Sequence, residues 1–266
     1  DKCPEDPGGP LQVIARERDV LIELPTNRTC AKRLSVVRAR NLRITGGHWV
    51  FNDTQSSVIS IGSTSGITFI DGAHIDVNRR SADAIRTYRH KGRLIVQNVH
   101  IEGVSGTDGG THGDVIHAQG GGPLRELVLQ NVSGYTGYQG LFAPYRVSTG
   151  HGTRKLRLIR VNIAYEPWLA SNKPLKLFFI GDANNPNNLT PDRGTVLKWV
   201  HADGTPQSFR YDWTVYTTPD RDGTGCATFA PEHLINGTVC GGPPPGGDYA
   251  PASLVGLNYQ RGAFCR

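Results

Sequence analysis

The stretch "LIVQNVHIEGV" (94–104) alternates aliphatic and polar residues, and similar stretches recur along this 266-residue chain. The related stretches are "NLRITGGHWVF" (41–51), "ITFIDGAHIDV" (67–77), "ELVLQNVSGY" (126–135), "LRLIRVNIAY" (156–165) and "VLKWVHADG" (196–204). Within them, His48, His74 and His100 follow one another at intervals of 26 residues. A fixed period of this size indicates a repeat architecture in which each copy stacks on the next.

A second series of alternating segments has one member before each stretch of the first series from 67–77 onward. Its members are "SVISIG" (57–62), "ADAIRTY" (82–88), "GDVIHAQ" (113–119), "QGLFAPY" (139–145) and "LKLFFIG" (175–181). Alternation over a few residues predicts short strands, and no helical period separates the two series. The sequence therefore predicts an all-β solenoid with coils of about 26 residues, whose equivalent strands stack about 4.8 Å apart.

The repeat pattern and the strand starts "DAI" (83–85) and "DVI" (114–116) give the chain a family resemblance. Over roughly residues 35–205 it resembles the pectate-lyase-like superfamily of polysaccharide-active enzymes. That resemblance implies a right-handed parallel β-helix. The superfamily includes polysaccharide lyases, glycoside hydrolases, uronan epimerases and phage tailspikes, so the resemblance implies a carbohydrate ligand more firmly than a particular reaction.

The two ends of the chain depart from the repeat. We expect residues 1–205 to form the β-helix, with residues 11–25 covering its first coil, and residues 206–266 to form an irregular capping or packing extension of the same domain. The five cysteines lie near the two ends, at Cys3, Cys30, Cys226, Cys240 and Cys265. We expect a Cys3–Cys30 disulfide and one disulfide among the last three, with the pairing of those three left open.

Composition narrows the choice of partners. Hydrophobic residues make up 37% of the chain, charged residues 20%, and the formal net charge is +6. A basic surface attracts polyanions. Because the basic residues are scattered singly, we favour an acidic polysaccharide over nucleic acid. No apolar run is long enough for a membrane span. Together with the expected disulfides, the chain's start without Met indicates a secreted or periplasmic protein, which we expect to be a monomer.

Alternation predicts which side chains of the second series face solvent. The inward set is Ile59, Ile61, Ile85, Thr87, Ile116, Ala118, Leu141 and Ala143. The outward set forms two ladders across the coils, namely Ser60, Arg86, His117 and Phe142, and then Gly62, Tyr88, Gln119 and Pro144. With His90, Lys91, Tyr145 and Arg146 just beyond, this face is cationic and aromatic. Such a face suits a sugar chain that carries carboxylates, because arginine holds a carboxylate through two parallel hydrogen bonds.

These residue types fit β-elimination from a uronate polymer. Arg86 would neutralise the sugar carboxylate, and His117 would take the proton next to it as the base. A neighbouring arginine favours the neutral imidazole that this role requires. Tyr88 or His112 would protonate the leaving oxygen. The residues expected to bind substrate are Gln119, His90, Lys91, Tyr145, Arg146 and Asp114.

Two other functions remain open. A glycoside hydrolase on the same scaffold would use Asp83, Asp114 and Asp108 as its carboxyl groups. Alternation instead turns Asp83 and Asp114 inward, where aspartate at a strand start commonly bonds nearby backbone N–H groups. The third function is a binding or adhesion module without catalysis.

No cofactor or metal is expected, since the stretch around Asp108, His112, Asp114 and His117 offers few carboxylates, with calcium as the alternative. The ladder of His48, His74 and His100 is interpreted as structural, and Asn98 and Asn131 as a similar hydrogen-bonded rung.

Overall fold

The structure is a computed structural model of the chain. It describes residues 11–25, 27–106, 112–118, 122–143, 145–146, 151–166, 169, 176–180, 195–203, 226–229 and 235–260.

Most of the described residues lie in strands. The strands are β1 (Leu11–Ile14), β2 (Val20–Glu23), β3 (Thr29–Cys30), β4 (Leu34–Val37), β5 (Leu42–Thr45), β6 (His48–Val50), β7 (Ser57–Gly62), β8 (Ile67–Asp71), β9 (His74–Arg80), β10 (Asp83–Tyr88), β11 (Arg93–Val104), β12 (Asp114–Ala118), β13 (Pro123–Leu124), β14 (Glu126–Thr136), β15 (Gln139–Ala143), β16 (Tyr145–Arg146), β17 (His151–Thr153), β18 (Leu156–Tyr165), β19 (Lys176–Ile180), β20 (Thr195–Asp203), β21 (Cys226–Phe229) and β22 (Ile235–Gly241). Two short 3-10 helices, Ala252–Leu254 and Gly256–Asn258, follow β22.

Two long sheets carry the fold, and each gains about one strand per repeat. The seven-stranded sheet has the order β1-β4-β7-β10-β12-β15-β19, and all its pairings are parallel. The main path of the twelve-stranded sheet runs β2-β5-β8-β11-β14-β18-β20-β22-β21, with β3, β6 and β9 joined beside it. A third sheet holds β13, β17 and β16. The expectation of an all-β chain with stacked parallel strands is confirmed, and this arrangement is consistent with a solenoid.

The core consists of aliphatic residues repeated at equivalent positions. Ile59, Ile85, Ile116 and Leu141 are register partners on successive strands of the seven-stranded sheet, and all four are buried. The whole inward set predicted from alternation is buried. Stacking of similar side chains buries a continuous core that no single repeat could form alone.

The long strands of the twelve-stranded sheet turn a corner at one fixed position. Asn98 and Asn131 have φ values of 52° and 51°, and Arg160 and Trp199 follow at 54° and 53°. This left-handed conformation is tolerated best by glycine and asparagine. The Asn131 side-chain amide donates to Asn98 Oδ1 at 2.9 Å, and Asn98 donates to Asp71 at 2.8 Å. The predicted rung of Asn98 and Asn131 is confirmed.

Residues 11–25 do more than cover the first coil. Within them, β1 pairs in parallel with β4, and β2 pairs in parallel with β5. They therefore form a coil of their own, at which both sheets begin. Leu21 and Ile14 remain largely exposed on it.

The segment after residue 205 continues the fold before it turns back. Strand β22 pairs in parallel with β20, so the twelve-stranded sheet extends beyond the predicted limit of the repeat. Residues 242–260, which we call the C-terminal strap, then run back over this sheet. The Tyr249 N–H donates to Asn162 Oδ1, the Ala250 N–H to Ser133 Oγ, and the Gly256 N–H to Gly72 O. These hydrogen bonds hold the C-terminal strap against the twelve-stranded sheet.

Cys226 and Cys240 are register partners on β21 and β22. Cys3 and Cys265 lie outside the described residues, and the cysteine pairing stays a prediction. Among the described residues, no helix has the length and apolar character needed to cross a membrane.

Candidate functional site

The predicted ladder of register partners exists on the seven-stranded sheet, but Ser60 is buried, so the prediction that it faces solvent is wrong. Arg86 on β10 is the register partner of Ser60 on β7 and of His117 on β12. His117 in turn is the partner of Phe142 on β15, and the two rings lie 4.9 Å apart between centroids. In the second ladder, Tyr88 and Gly62 are partners as predicted. Alternation, read across the repeats, therefore brings Arg86 and His117 side by side.

Two buried aspartates hold the His117 ring. Its Nδ1 lies 2.5 Å from Asp114 Oδ2 and 3.5 Å from Asp83 Oδ2. Asp83 Oδ1 accepts the Asp114 backbone N–H at 3.0 Å, and the Arg86 guanidinium lies 3.7 Å from Asp83 Oδ2. Because the carboxylates occupy Nδ1, Nε2 is the ring nitrogen that remains for a substrate. His117 keeps 14% of its side chain exposed.

The aspartates change the charge of His117. Burial by itself lowers the His117 pKa, but hydrogen bonds to Asp114 and Asp83 outweigh it and raise the pKa to about 9. The expectation that Arg86 keeps this imidazole neutral at neutral pH is therefore wrong. That expectation took account of the positive charge of Arg86 but not of the negative charges of Asp114 and Asp83. Complete burial, together with the charge of Asp83, raises the Asp114 pKa above its ordinary value.

Asp83 and Asp114 do not face the solvent. Their exposed fractions are 1% and 0%, as their predicted inward direction requires. Asp83 accepts a backbone N–H, as expected, but from the next coil rather than from its own turn. The expectation that Asp114 contacts substrate is wrong, because its carboxylate is buried beneath the His117 ring. For the same reason, neither carboxylate stands on the outward face where a hydrolase would need it.

The prediction for His90 is also wrong. It was expected on the outward face, yet it is buried, with Nε2 2.9 Å from Thr68 Oγ1 and Nδ1 accepting the Gly92 N–H at 3.1 Å. Burial lowers its pKa to about 4. Arg89 explains the error, because its φ of 53° ends the strand and turns the next side chain inward. Strict alternation does not hold beyond such a residue.

Other predicted residues remain near the ladder. Tyr88 is exposed, and its ring lies over Gly62, where a Cβ would come within 2.3 Å of Tyr88 Cζ. Lys91 and His112 are exposed as well. The His112 ring lies 5.2 Å from the Tyr138 ring. Gln119, Pro144 and Asp108, together with the side chains of Tyr145 and Arg146, lie outside the described residues.

Arg33 was not predicted as part of this face. It donates to Gln55 Oε1 at 2.9 Å. Burial lowers its pKa, and the charges of Tyr88 and Arg86 also act on it. Arg33 precedes β4, whose Ser35 is the register partner of Ser60. Extending the alternation one coil towards the N-terminus would have placed Arg33 on the same face.

A second polar cluster lies on the twelve-stranded sheet. His48, His74 and His100 are register partners, as predicted. The rings of His48 and His74 stack at 4.3 Å, and His74 Nε2 lies 2.7 Å from Glu102 Oε1. Burial lowers the pKa values of His48 and His100. The ladder is held by ring contacts and Glu102, and the C-terminal strap covers part of it.

Two groups of side chains bring ligand-type atoms within 4.8 Å of one another among the described residues. They are Asp83, Asp114 and His117 on one sheet, and His74, His100 and Glu102 on the other. In comparisons with known proteins, no family model, curated protein or solved structure matches the chain. A function for the chain is therefore inferred from the chemistry of these residues.

Proposed function

We propose that the protein is a polysaccharide lyase that cleaves a uronate-containing polymer by β-elimination. The observation that carries the proposal is the anchored His117. Its Nδ1 is bound by Asp114, and Arg86 stands beside it in register on the outward face. We further propose that the parallel sheets form a right-handed parallel β-helix of the pectate-lyase-like type, which would present this face as an open groove.

In the proposed reaction, Arg86, His117 and Tyr88 each act at one step. Arg86 pairs with the uronate carboxylate and neutralises the charge that develops on it. His117 Nε2 takes the proton from the carbon next to that carboxylate. The electrons of the broken C–H bond form a carbon–carbon double bond, and the bond to the glycosidic oxygen breaks. The Tyr88 hydroxyl donates a proton to that leaving oxygen.

Asp114 and Asp83 are positioning residues in this scheme. They fix the ring by its Nδ1, and Asp114 lies close enough for a strong, charge-assisted hydrogen bond. Their negative charge also makes the neutral imidazole a stronger base once it forms. Because the His117 pKa is raised to about 9, the base form is populated only as the pH approaches that value. The lyase is therefore expected to work best in alkaline solution.

The groups on the outward face favour elimination over hydrolysis. Hydrolysis needs two carboxyl groups that reach the bond being cleaved. Within the described residues, Asp83 and Asp114 are buried and face His117. Elimination needs a cation, a base and an acid. Arg86, His117 and Tyr88 supply these on one face.

The test is incubation of the protein with a panel of uronate polymers at pH 9. Elimination leaves an unsaturated sugar that absorbs ultraviolet light, whereas hydrolysis creates reducing ends without it. The proposal predicts a rise in absorbance on at least one polymer. New reducing ends without the absorbance would overturn the lyase assignment in favour of a hydrolase. Binding without any cleavage would overturn it in favour of a binding module.

A further inference from the structure

The cluster of His74, His100 and Glu102 lies on the twelve-stranded sheet, whereas the proposed active site lies on the seven-stranded sheet. His74 belongs to β9, and His100 and Glu102 belong to the adjacent β11. His100 and Glu102 are two residues apart on one strand, so their side chains share a face. The three residues offer two imidazoles and one carboxylate, with ligand atoms all within 4.8 Å of one another.

The C-terminal strap fixes which nitrogen of His100 carries the proton. His100 Nδ1 lies 2.8 Å from the Ala250 carbonyl oxygen. A carbonyl only accepts, so Nδ1 must be the donor in this bond. The Nε2 of neutral His100 therefore carries the lone pair, and this atom lies 4.0 Å from Glu102 Oε2. A backbone carbonyl on the second nitrogen is a common way in which proteins orient a histidine that binds a metal.

The spacing of the cluster leaves room for an ion. His100 Nε2 lies 4.0 Å from Glu102 Oε2, which is too long for a hydrogen bond. Zinc binds histidine nitrogen and carboxylate oxygen at about 2.0–2.2 Å, so two ligand atoms around one ion stand roughly 3–4 Å apart. His74 Nε2 is 2.7 Å from Glu102 Oε1, and its proton would be displaced as the ion enters.

We infer that His74, His100 and Glu102 form a binding site for a divalent transition metal of the zinc class. Imidazole ligands favour zinc and its neighbours over calcium, which prefers oxygen. Three protein ligands leave a fourth position to water. His48 stacks on His74 with the rings 8° from parallel and holds that ring in place. The site lies apart from the Arg86 and His117 ladder and serves no step of the proposed elimination.

The other ligand cluster is less suited to a metal. His117 Nδ1 already lies 2.5 Å from Asp114 Oδ2, so a metal there would have to break a short, buried hydrogen bond. At the cluster of His74, His100 and Glu102 a metal would also displace a hydrogen bond, between His74 and Glu102, but Glu102 is 41% exposed and His100 Nε2 lies 4.0 Å from Glu102 Oε2. Because the two clusters share no residue, mutation of one leaves the ligand atoms of the other in place.

The test measures zinc binding to the chain after treatment with a chelator. Calorimetry with Zn²⁺ is expected to give one site per chain, and Co²⁺ an intense visible spectrum. The Glu102→Gln variant is expected to bind zinc at least about 100-fold more weakly, since loss of outer partners alone costs 10–100-fold. Glu102 has 41% of its side chain exposed, so this variant should fold.

His201→Ala is the matched control. His201 lies in the same row of the sheet, and its Nδ1 lies 3.2 Å from the strap carbonyl of Gly242, with Asn162 and Cys240 as its register partners. Zinc should bind this variant as it binds the parent chain. Zinc should also raise the melting temperature of the parent and of His201→Ala, but not of Glu102→Gln. The inference is overturned if the chain binds no zinc, if Glu102→Gln binds it unchanged, or if only His117→Ala abolishes binding.

Discussion

The protein carries two rows of stacked side chains that include histidine, and the two rows differ in what lies against them. On the seven-stranded sheet, His117 is bound by two buried carboxylates and keeps an exposed edge. On the twelve-stranded sheet, His100 is bound by a backbone carbonyl of the C-terminal strap. The pKa of His117 is raised, and that of His100 is lowered. The repeat determines which side chains stack, but residues outside the row determine the hydrogen bonds and the pKa of each histidine.

The largest expected effect comes from His117→Ala, which removes the proposed base. A positioned base contributes roughly 10²–10⁴-fold, so kcat/KM on a cleaved uronan should fall by that factor. Initial rates from the ultraviolet absorbance of the product measure it. His201→Ala, in the other row, should keep the parent rate. Full activity in His117→Ala would show that His117, like His201, is not needed for cleavage.

Stability at high pH is expected to show the next largest effect. The folded-state pKa of His117 lies above its unfolded value, so its contribution is fully present below about pH 6.5 and is lost as the pH rises through about 9. The loss should be about 3 kcal/mol in the free energy of unfolding. Denaturant titrations at several pH values measure it, and Asp114→Asn should show a clearly smaller loss. An equal loss in parent and variant would contradict the assigned pairing.

Gly256→Ala tests whether the C-terminal strap packs closely against His74 on the twelve-stranded sheet. Gly256 has a φ of 64°, and an added Cβ would lie 2.6 Å from the Cβ of His74. Both strain and crowding should lower stability by about 2 kcal/mol. Gly246→Ala is the control, since nothing lies within 4 Å of a Cβ at that position. Thermal unfolding of the two variants gives the result, and equal melting temperatures would show that the strap does not press on the ladder.

The smallest expected effect is that of Arg86→Lys. Lysine keeps the charge but cannot hold a carboxylate through two parallel hydrogen bonds. KM for a uronan should rise about tenfold, with kcat changed less. Arg43→Lys, where the guanidinium lies over Phe69 on the other sheet, is the matched control. A normal KM for Arg86→Lys would mean that Arg86 does not bind the sugar carboxylate.

The sequence predicted the regular part of this molecule well. Ladder positions such as Ser60, Arg86, His117 and Phe142 follow from a period and an alternation, which are local properties of the chain. The failures have two causes. His90 follows a residue with left-handed φ, beyond which the alternation does not hold. Asp114 is buried as the alternation predicts, but the alternation does not show that its side chain contacts His117 rather than substrate. The strap contacts, such as Ala250 with His100, join residues 150 apart and follow no repeat.

The most direct test of the account is the pH dependence of uronan cleavage by the parent chain. If His117 is the base, kcat/KM should rise about tenfold per pH unit below its pKa and level off near pH 9. Asp114→Asn should move this midpoint to lower pH, because the hydrogen bond that raises the pKa is weakened. A rate that is flat or falls between pH 6 and pH 9, with the unsaturated product still formed, would contradict the assignment of His117 as the base.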